Sequence, residues 1–284
     1  TAAVVDLLKN RILERGGEIR LNTQIVSVNA AEKTVTDSAG EIYTYDHLIW
    51  AADLKSLYRY VNPAGLDEKT ITDIKSETER MFAAKGAESV FILFLAVDRP
   101  TSYFQAKGGE HMFYTPSRKG LGQTTRLERE NLVKDFASKT KAEVFAWVDQ
   151  YCELNTYEVS VPALRDASMA PEGKTGVMIS CLLDYDIVEK IEQAGWYAEF
   201  KEKLENNVVR IFSESVYPGL SDDVLFKFSS TPLTIKQVAG SSEGAITGWS
   251  FESNVPVVNK LAGIPKSVLT PIPGVLQAGQ WAYS

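Results

Sequence analysis

The chain has 284 residues, 44% of them hydrophobic and 24% charged, with a net charge of −7 at neutral pH, values of an ordinary globular protein with room for one large domain or two smaller ones. The acidic balance argues weakly against nucleic acid as a partner, because phosphate binding needs clustered Lys and Arg. Two cysteines without a CxxC partner (Cys152 and Cys181) and two histidines (His47 and His111) exclude a zinc cluster of the usual spacing and read as reduced thiols in a cytoplasmic protein.

Residues 3–15 have the period of an amphipathic helix, with Val4, Val5, Leu8 and Ile12 on one face and Gly16-Gly17 as its stop. A strand is expected over 18–28 and a hairpin over 32–45, turning at Asp37 to Gly40. Leu48 to Ala52 reads as a short apolar strand ending at Asp53. Residues 67–84 are charged and helical, with Ile71, Ile74, Met81 and Phe82 inward. The apolar run Val90 to Val97 is far below the ~20 residues that span a bilayer, so it is expected as a buried strand.

A helix is expected over 126–141, and strands over 143–151, 156–161, 176–183 and near 223–229. The best helical stripe in the chain lies in 196–216: Tyr197, Phe200, Leu204, Val208, Ile211 and Phe212, stopped by Pro218-Gly219. Its four glutamates (Glu199, Glu202, Glu205 and Glu214) favour core packing of that stripe over a membrane surface. The last line, Ile272 to Trp281, reads as a turn, a short buried strand and a Gly stop. A helix is expected after such a Gly, so the 284 residues are read as part of a larger protein.

Hydrolytic and metal chemistries find no motif. GxSxG, HExxH and HxxxH are absent. Asp166 and Glu172 are close enough for a paired role, against the plainer reading of capping carboxylates in a loop. Gly120-Leu-Gly122 has Thr125 in place of a third glycine and no strand before it, so it fails as a dinucleotide fingerprint. Aromatic residues off the helical or strand period, among them Phe113, Tyr114, Trp249 and Phe251, are either ordinary core or walls of an apolar substrate pocket.

Four stretches in order resemble the FAD-dependent oxidoreductases of the phytoene desaturase and carotenoid isomerase type, within the amine-oxidase-like flavoproteins. They are Leu13 to Ile25 (LERGGEIRLNTQI), Asp46 to Asp53 (DHLIWAAD), Asp166 to Lys174 (DASMAPEGK) and Pro273 to Gly279 (PGVLQAG). The resemblance implies an α+β fold: a substrate domain with a mixed sheet flanked by helices, plus part of a discontinuous Rossmann-like FAD domain. It places residues 1–60 and 242–284 in the FAD domain and 61–241 in the substrate domain.

The resemblance also implies cofactor contacts at Ile25 (adenine), Ala51 and Ala52 (diphosphate and ribose), and Ala278, Gly279 and Gln280 (diphosphate and flavin end). It implies hydride transfer between flavin and a long apolar, polyene-like substrate, with Phe113, Tyr114, Trp249 and Phe251 as pocket candidates. The family's GxGxxG unit does not occur in these residues, so FAD is expected to bind poorly to this chain by itself. Gln280 and Trp281 stand where many relatives carry an acidic or small residue. Amine or protoporphyrinogen oxidation, and a non-catalytic module that binds an apolar ligand, stay open as alternatives. The expected partner is an apolar small molecule, in the cytoplasm, with peripheral membrane contact left open.

Overall fold

The computed structural model describes residues 2–121, 125–252, 254–258 and 260–282. In chain order the first elements are α1 (Ala2–Glu14), β1 (Ile25–Asn29), β2 (Thr34–Asp37), β3 (Ile42–Thr44), β4 (Leu48–Trp50), α2 (Leu54–Tyr60), β5 (Val61–Asn62) and α3 (Glu68–Ala83). Then come β6 (Val90–Val97), α4 (Thr101–Lys107), β7 (His111–Tyr114), α5 (Arg126–Lys134), α6 (Lys141–Leu154), β8 (Tyr157–Ser160) and β9 (Thr175–Leu182). The last are α7 (Tyr185–Gln193), α8 (Tyr197–Glu214), α9 (Leu220–Asp223), β10 (Val224–Ser230), α10 (Pro232–Ala239) and β11 (Val275–Gln277). The class is α+β.

The chain divides into two compact units, residues 1–84 with 255–284, and residues 85–254. Both boundaries fall later than the 60/61 and 241/242 expected from the sequence. Helix α3 stays with the first unit because it packs on α2. Residues 245–250 stay with the second because they pair with 85–89. The amide of Ala87 donates to the carbonyl of Gly248, that of Ser250 to Lys85, and that of Ile246 to Glu88.

The first unit holds a four-stranded sheet in the order β3-β2-β1-β5 and a two-stranded sheet of β4 and β11. The hairpin turns as its residues require. Asp37 accepts the amides of Ala39 and Glu41 on one carboxylate oxygen, and Gly40 takes the positive φ of 89° that a side chain disfavours. β1 pairs antiparallel with β2 and parallel with β5. Strand begins only at Ile25; the expected stretch from residue 18 has no regular structure before it, with a bend at Leu21-Asn22 where Asn22 takes a positive φ of 55°.

The second unit is built on a five-stranded sheet, β10-β6-β9-β8-β7, and every neighbouring pair in it is antiparallel. The expected mixed pairing thus belongs to the first unit. Successive residues of β6 alternate between buried and half-buried, because a strand sends its side chains to opposite faces. Phe91, Leu93, Leu95 and Val97 enter the core, where they meet the stripe of α8: Phe200, Leu204, Val208, Ile211 and Phe212. That stripe is core, and Tyr197 at its start is half-buried beside it.

One sequence expectation is corrected here. Residues 143–151 are helix, part of α6, not strand. Thr140 and Glu143 form a reciprocal capping box that opens the helix. Val144, Trp147, Val148 and Tyr151 then fall on one buried face at helical spacing. Local composition, rich in β-branched and aromatic residues, pointed the other way.

Candidate functional site: strand ends in one unit, an aromatic hollow in the other

In the first unit, β4 and β11 run parallel, with Val275 opposite Leu48, Leu276 opposite Ile49 and Gln277 opposite Trp50. Both strands therefore end on the same side, β4 at Ala51-Ala52 and β11 at Ala278-Gly279. The amide of Ala278 donates to the carbonyl of Trp50 at 2.9 Å, which extends the ladder by one bond. Ala51, Ala52, Gly279 and Gln280 are exposed. Gly279 has φ of 85°, and the nearest atom to a Cβ built on it is the carbonyl oxygen of Ala51 at 3.7 Å. Small residues at the carboxyl ends of parallel strands leave backbone open to close approach by a ligand.

The turn after β4 is fixed by its own polar groups. The Trp50 indole donates to the carbonyl of Asp53 at 2.8 Å. The Asp53 carboxylate accepts the amide of Ser56 and caps α2. Ala51 and Ala52 are thus held between a strand and a capped helix. Ile25 lies elsewhere in the unit, in the four-stranded sheet, paired with Asp37 at the start of β1. Five of the six expected cofactor residues share one end of the two-stranded sheet, and Ile25 does not belong to that sheet.

The second unit carries an apolar hollow of about 240 Å³ on the sheet face opposite the core. Its form follows from strand register. Met178, Phe94 and Phe228 lie side by side across β9, β6 and β10, and in the neighbouring row stand Gly176, Ala96 and Phe226. The bulky row makes a wall, and the two small residues make the floor. Phe94 and Phe228 stack at 4.7 Å with their planes 8° apart, a favourable offset for aromatic pairs. Phe226 continues the stack 6.1 Å beyond Phe228. Pro162, Ala163 and Met169, from the loop between β8 and β9, close one side.

The aromatic residues singled out from sequence take other places. Trp249 is 1% exposed and pairs through its backbone with Gly86, so it offers no face to a ligand. Phe251 stands 80% exposed. Phe113 is exposed on β7, an edge strand, while Tyr114 beside it turns inward onto Phe212. None of the four lines the hollow. Phe94, Phe226 and Phe228 escaped sequence reasoning because they read as ordinary strand residues. The signal available was that β6 is apolar at every position, which leaves one face in excess of what a single core needs.

A larger cavity of about 560 Å³ in the same unit is walled by charged residues. Arg129 is held by Asp184 at 3.1 Å and Asp186 at 3.0 Å. Burial raises the Asp184 carboxyl above its ordinary range; Arg129 opposes this and Asp186 adds to it. The Lys236 ammonium donates to the Tyr185 hydroxyl, and the amide of Gly86 donates to Glu243. Such walls suit no long apolar molecule. Asp166 accepts the amide and hydroxyl of Ser168, the capping role, and is exposed. Gly122 of the glycine pair lies outside the described residues. Among the described residues no cluster of His, Cys, Asp or Glu could hold a metal ion. No described helix is long and apolar enough to cross a membrane.

The chain is similar in fold to an oxidoreductase from Methanosarcina mazei. The two superpose with a TM-score of 0.51 at 12% identity, over 98% of this chain and 48% of the other. A Pyrococcus furiosus protein matches 80% of this chain and 42% of its own with a TM-score of 0.43 at 19% identity. Reduced UDP-galactopyranose mutase matches 73% and 33% with a TM-score of 0.44 at 14% identity. The chain thus spans between a third and a half of the length of these solved structures. No protein-family profile and no curated protein matches the sequence.

Proposed function

We propose that these residues belong to an FAD-dependent oxidoreductase acting on a long apolar, polyene-like substrate. The observation that carries the reading is the parallel pair β4–β11, whose two carboxyl ends bring the small, exposed residues Ala51, Ala52 and Gly279 together. Open backbone at such ends is where α/β proteins receive nucleotides. FAD, when bound, supplies the hydride chemistry itself. Ala51, Ala52, Ala278 and Gly279 let a diphosphate or flavin edge approach the main chain, and Gln280 adds an amide side chain beside them.

The aromatic hollow is the proposed substrate surface. A polyene is flat, apolar and extended, and stacked phenyl rings offer it contact without polar groups to desolvate. Phe94, Phe226 and Phe228 hold it in place, and Met169 and Met178 adapt to its outline. The fold shared with the Methanosarcina mazei oxidoreductase is compatible with this reading.

The test is made on the product of the open reading frame that carries these residues. Purified protein is expected to show flavin absorption bands and to release FAD on denaturation, and solvent extraction is expected to yield an apolar lipid or polyene. Colourless protein that takes up no FAD on reconstitution overturns the flavoenzyme reading. If it still yields a polyene, the apolar-binding module replaces it; recovery of a polar amine overturns the substrate assignment. Gly176→Val should block the hollow without harming the fold, because a Cβ at Gly176 meets nothing within 4 Å. Its lipid content should fall several-fold while its melting temperature holds.

A further inference from the structure

The outer face of the five-stranded sheet changes character along one line of side chains. Register sets Phe228 on β10 beside Phe94 on β6, and Phe94 beside Met178 on β9. The same line continues to Ser160 on β8 and His111 on β7. Its first three residues wall the apolar hollow, and its last two are polar. Tyr157 and Val159 turn into the core, which leaves Glu158 and Ser160 together on the outer face. Glu158 meets His111 Nε2 at 2.8 Å. His111 and Glu158 are exposed and Ser160 is half-buried. The Ser160 hydroxyl makes no hydrogen bond to another described residue.

The hollow is too small for a long molecule. Its volume of about 240 Å³ is below the roughly 300–1,000 Å³ of pockets that enclose a drug-sized ligand. A long substrate seated there must extend along the face. From Phe94 to His111 the line crosses three strand spacings, about 14 Å. A wholly apolar chain over that stretch would strip water from Ser160, His111 and Glu158 and return nothing. A chain that ends in a hydroxyl replaces the lost bonds. The hydroxyl donates to the Glu158 oxygen that His111 does not use, and accepts from Ser160.

We propose that the substrate of this face is a polyene alcohol, with its apolar end in the hollow and its terminal hydroxyl at Ser160 and Glu158. The inference rests on the reading of the hollow as an apolar-substrate surface. It adds the oxygen function at the far end and the two residues that select for it.

The test uses the full chain, all-trans-retinol and axerophtene, the hydrocarbon with hydrogen in place of the retinol hydroxyl. Binding is followed by polyene fluorescence. A face without partners for the hydroxyl would prefer the hydrocarbon, because the alcohol loses water on binding. Retinol is instead expected to bind several-fold more tightly. Ser160→Ala and Glu158→Ala should each weaken retinol about five- to tenfold and leave axerophtene unchanged. Loss of structure would weaken both probes alike, so the difference between them reports the hydroxyl site alone. Gly176→Val should weaken both. Equal affinities in the unaltered chain, or a preference for axerophtene, overturn the alcohol assignment and leave the hollow standing. So does a retinol preference that survives both polar substitutions. If neither probe binds, or Gly176→Val weakens neither, the hollow fails as a substrate surface and this inference falls with it.

Discussion

The carbonyl of Trp50 accepts the amide of Ala278, two residues far apart in the chain. Together with the three register pairs of β4 and β11, this bond makes the first unit out of two distant segments. Trp50 is itself buried, and its indole is tied to the backbone at Asp53. The strand ends proposed to meet the cofactor are therefore fixed by tertiary pairing and not by either segment alone.

Gly279 is the residue through which that pairing can be probed. Its positive φ costs a residue with a side chain roughly 1–2 kcal/mol, yet the space around it is open. Gly279→Ala should lower the stability of the first unit by about 1 kcal/mol, read in urea by the emission of Trp50 and Trp281. A loss well above that would mean the position is packed rather than merely strained. Under the proposed function the same variant should also retain less FAD.

Gly240 and Gly244 offer a contrast between strain and collision. Both take positive φ, 66° and 63°. A Cβ on Gly240 meets nothing within 4 Å, whereas on Gly244 it falls 2.4 Å from the carbonyl oxygen of Pro232. Backbone cannot yield as a side-chain tip can. Gly240→Ala should cost about 1 kcal/mol and Gly244→Ala about 2–4 kcal/mol. Thermal unfolding of the two variants side by side gives the comparison, and equal losses would contradict it.

Burial raises both thiols, Cys152 and Cys181, from an ordinary 9.0 to about 12. The folded protein holds them neutral. Their contribution to stability is whole below pH ~9, the unfolded value. It is lost as pH climbs toward about 12, because the unfolded chain releases those protons first. Stability measured by denaturant melts should accordingly decline across that alkaline window, and less steeply in a Cys152→Ala, Cys181→Ala double variant. At pH 8 a thiol reagent should label neither cysteine in the native protein and both in urea. Rapid labelling of the native chain would show that the core around Tyr151 and Tyr157 opens.

The sequence by itself determined the elements whose signals are local. The stripe of α8 could be read because its apolar residues recur at a period that only a helix places on one face. The hairpin at Asp37 to Gly40 could be read because a carboxylate and a glycine at that spacing serve one turn. Helix α6 could not be read correctly. Its composition favours strand, and the capping box at Thr140 and packing against α8 decided otherwise. Only the tertiary structure set Phe94 beside Phe228 and Met178. Those residues are far apart in the chain, and their register is fixed by strand pairing and helix packing, which no short window of sequence contains.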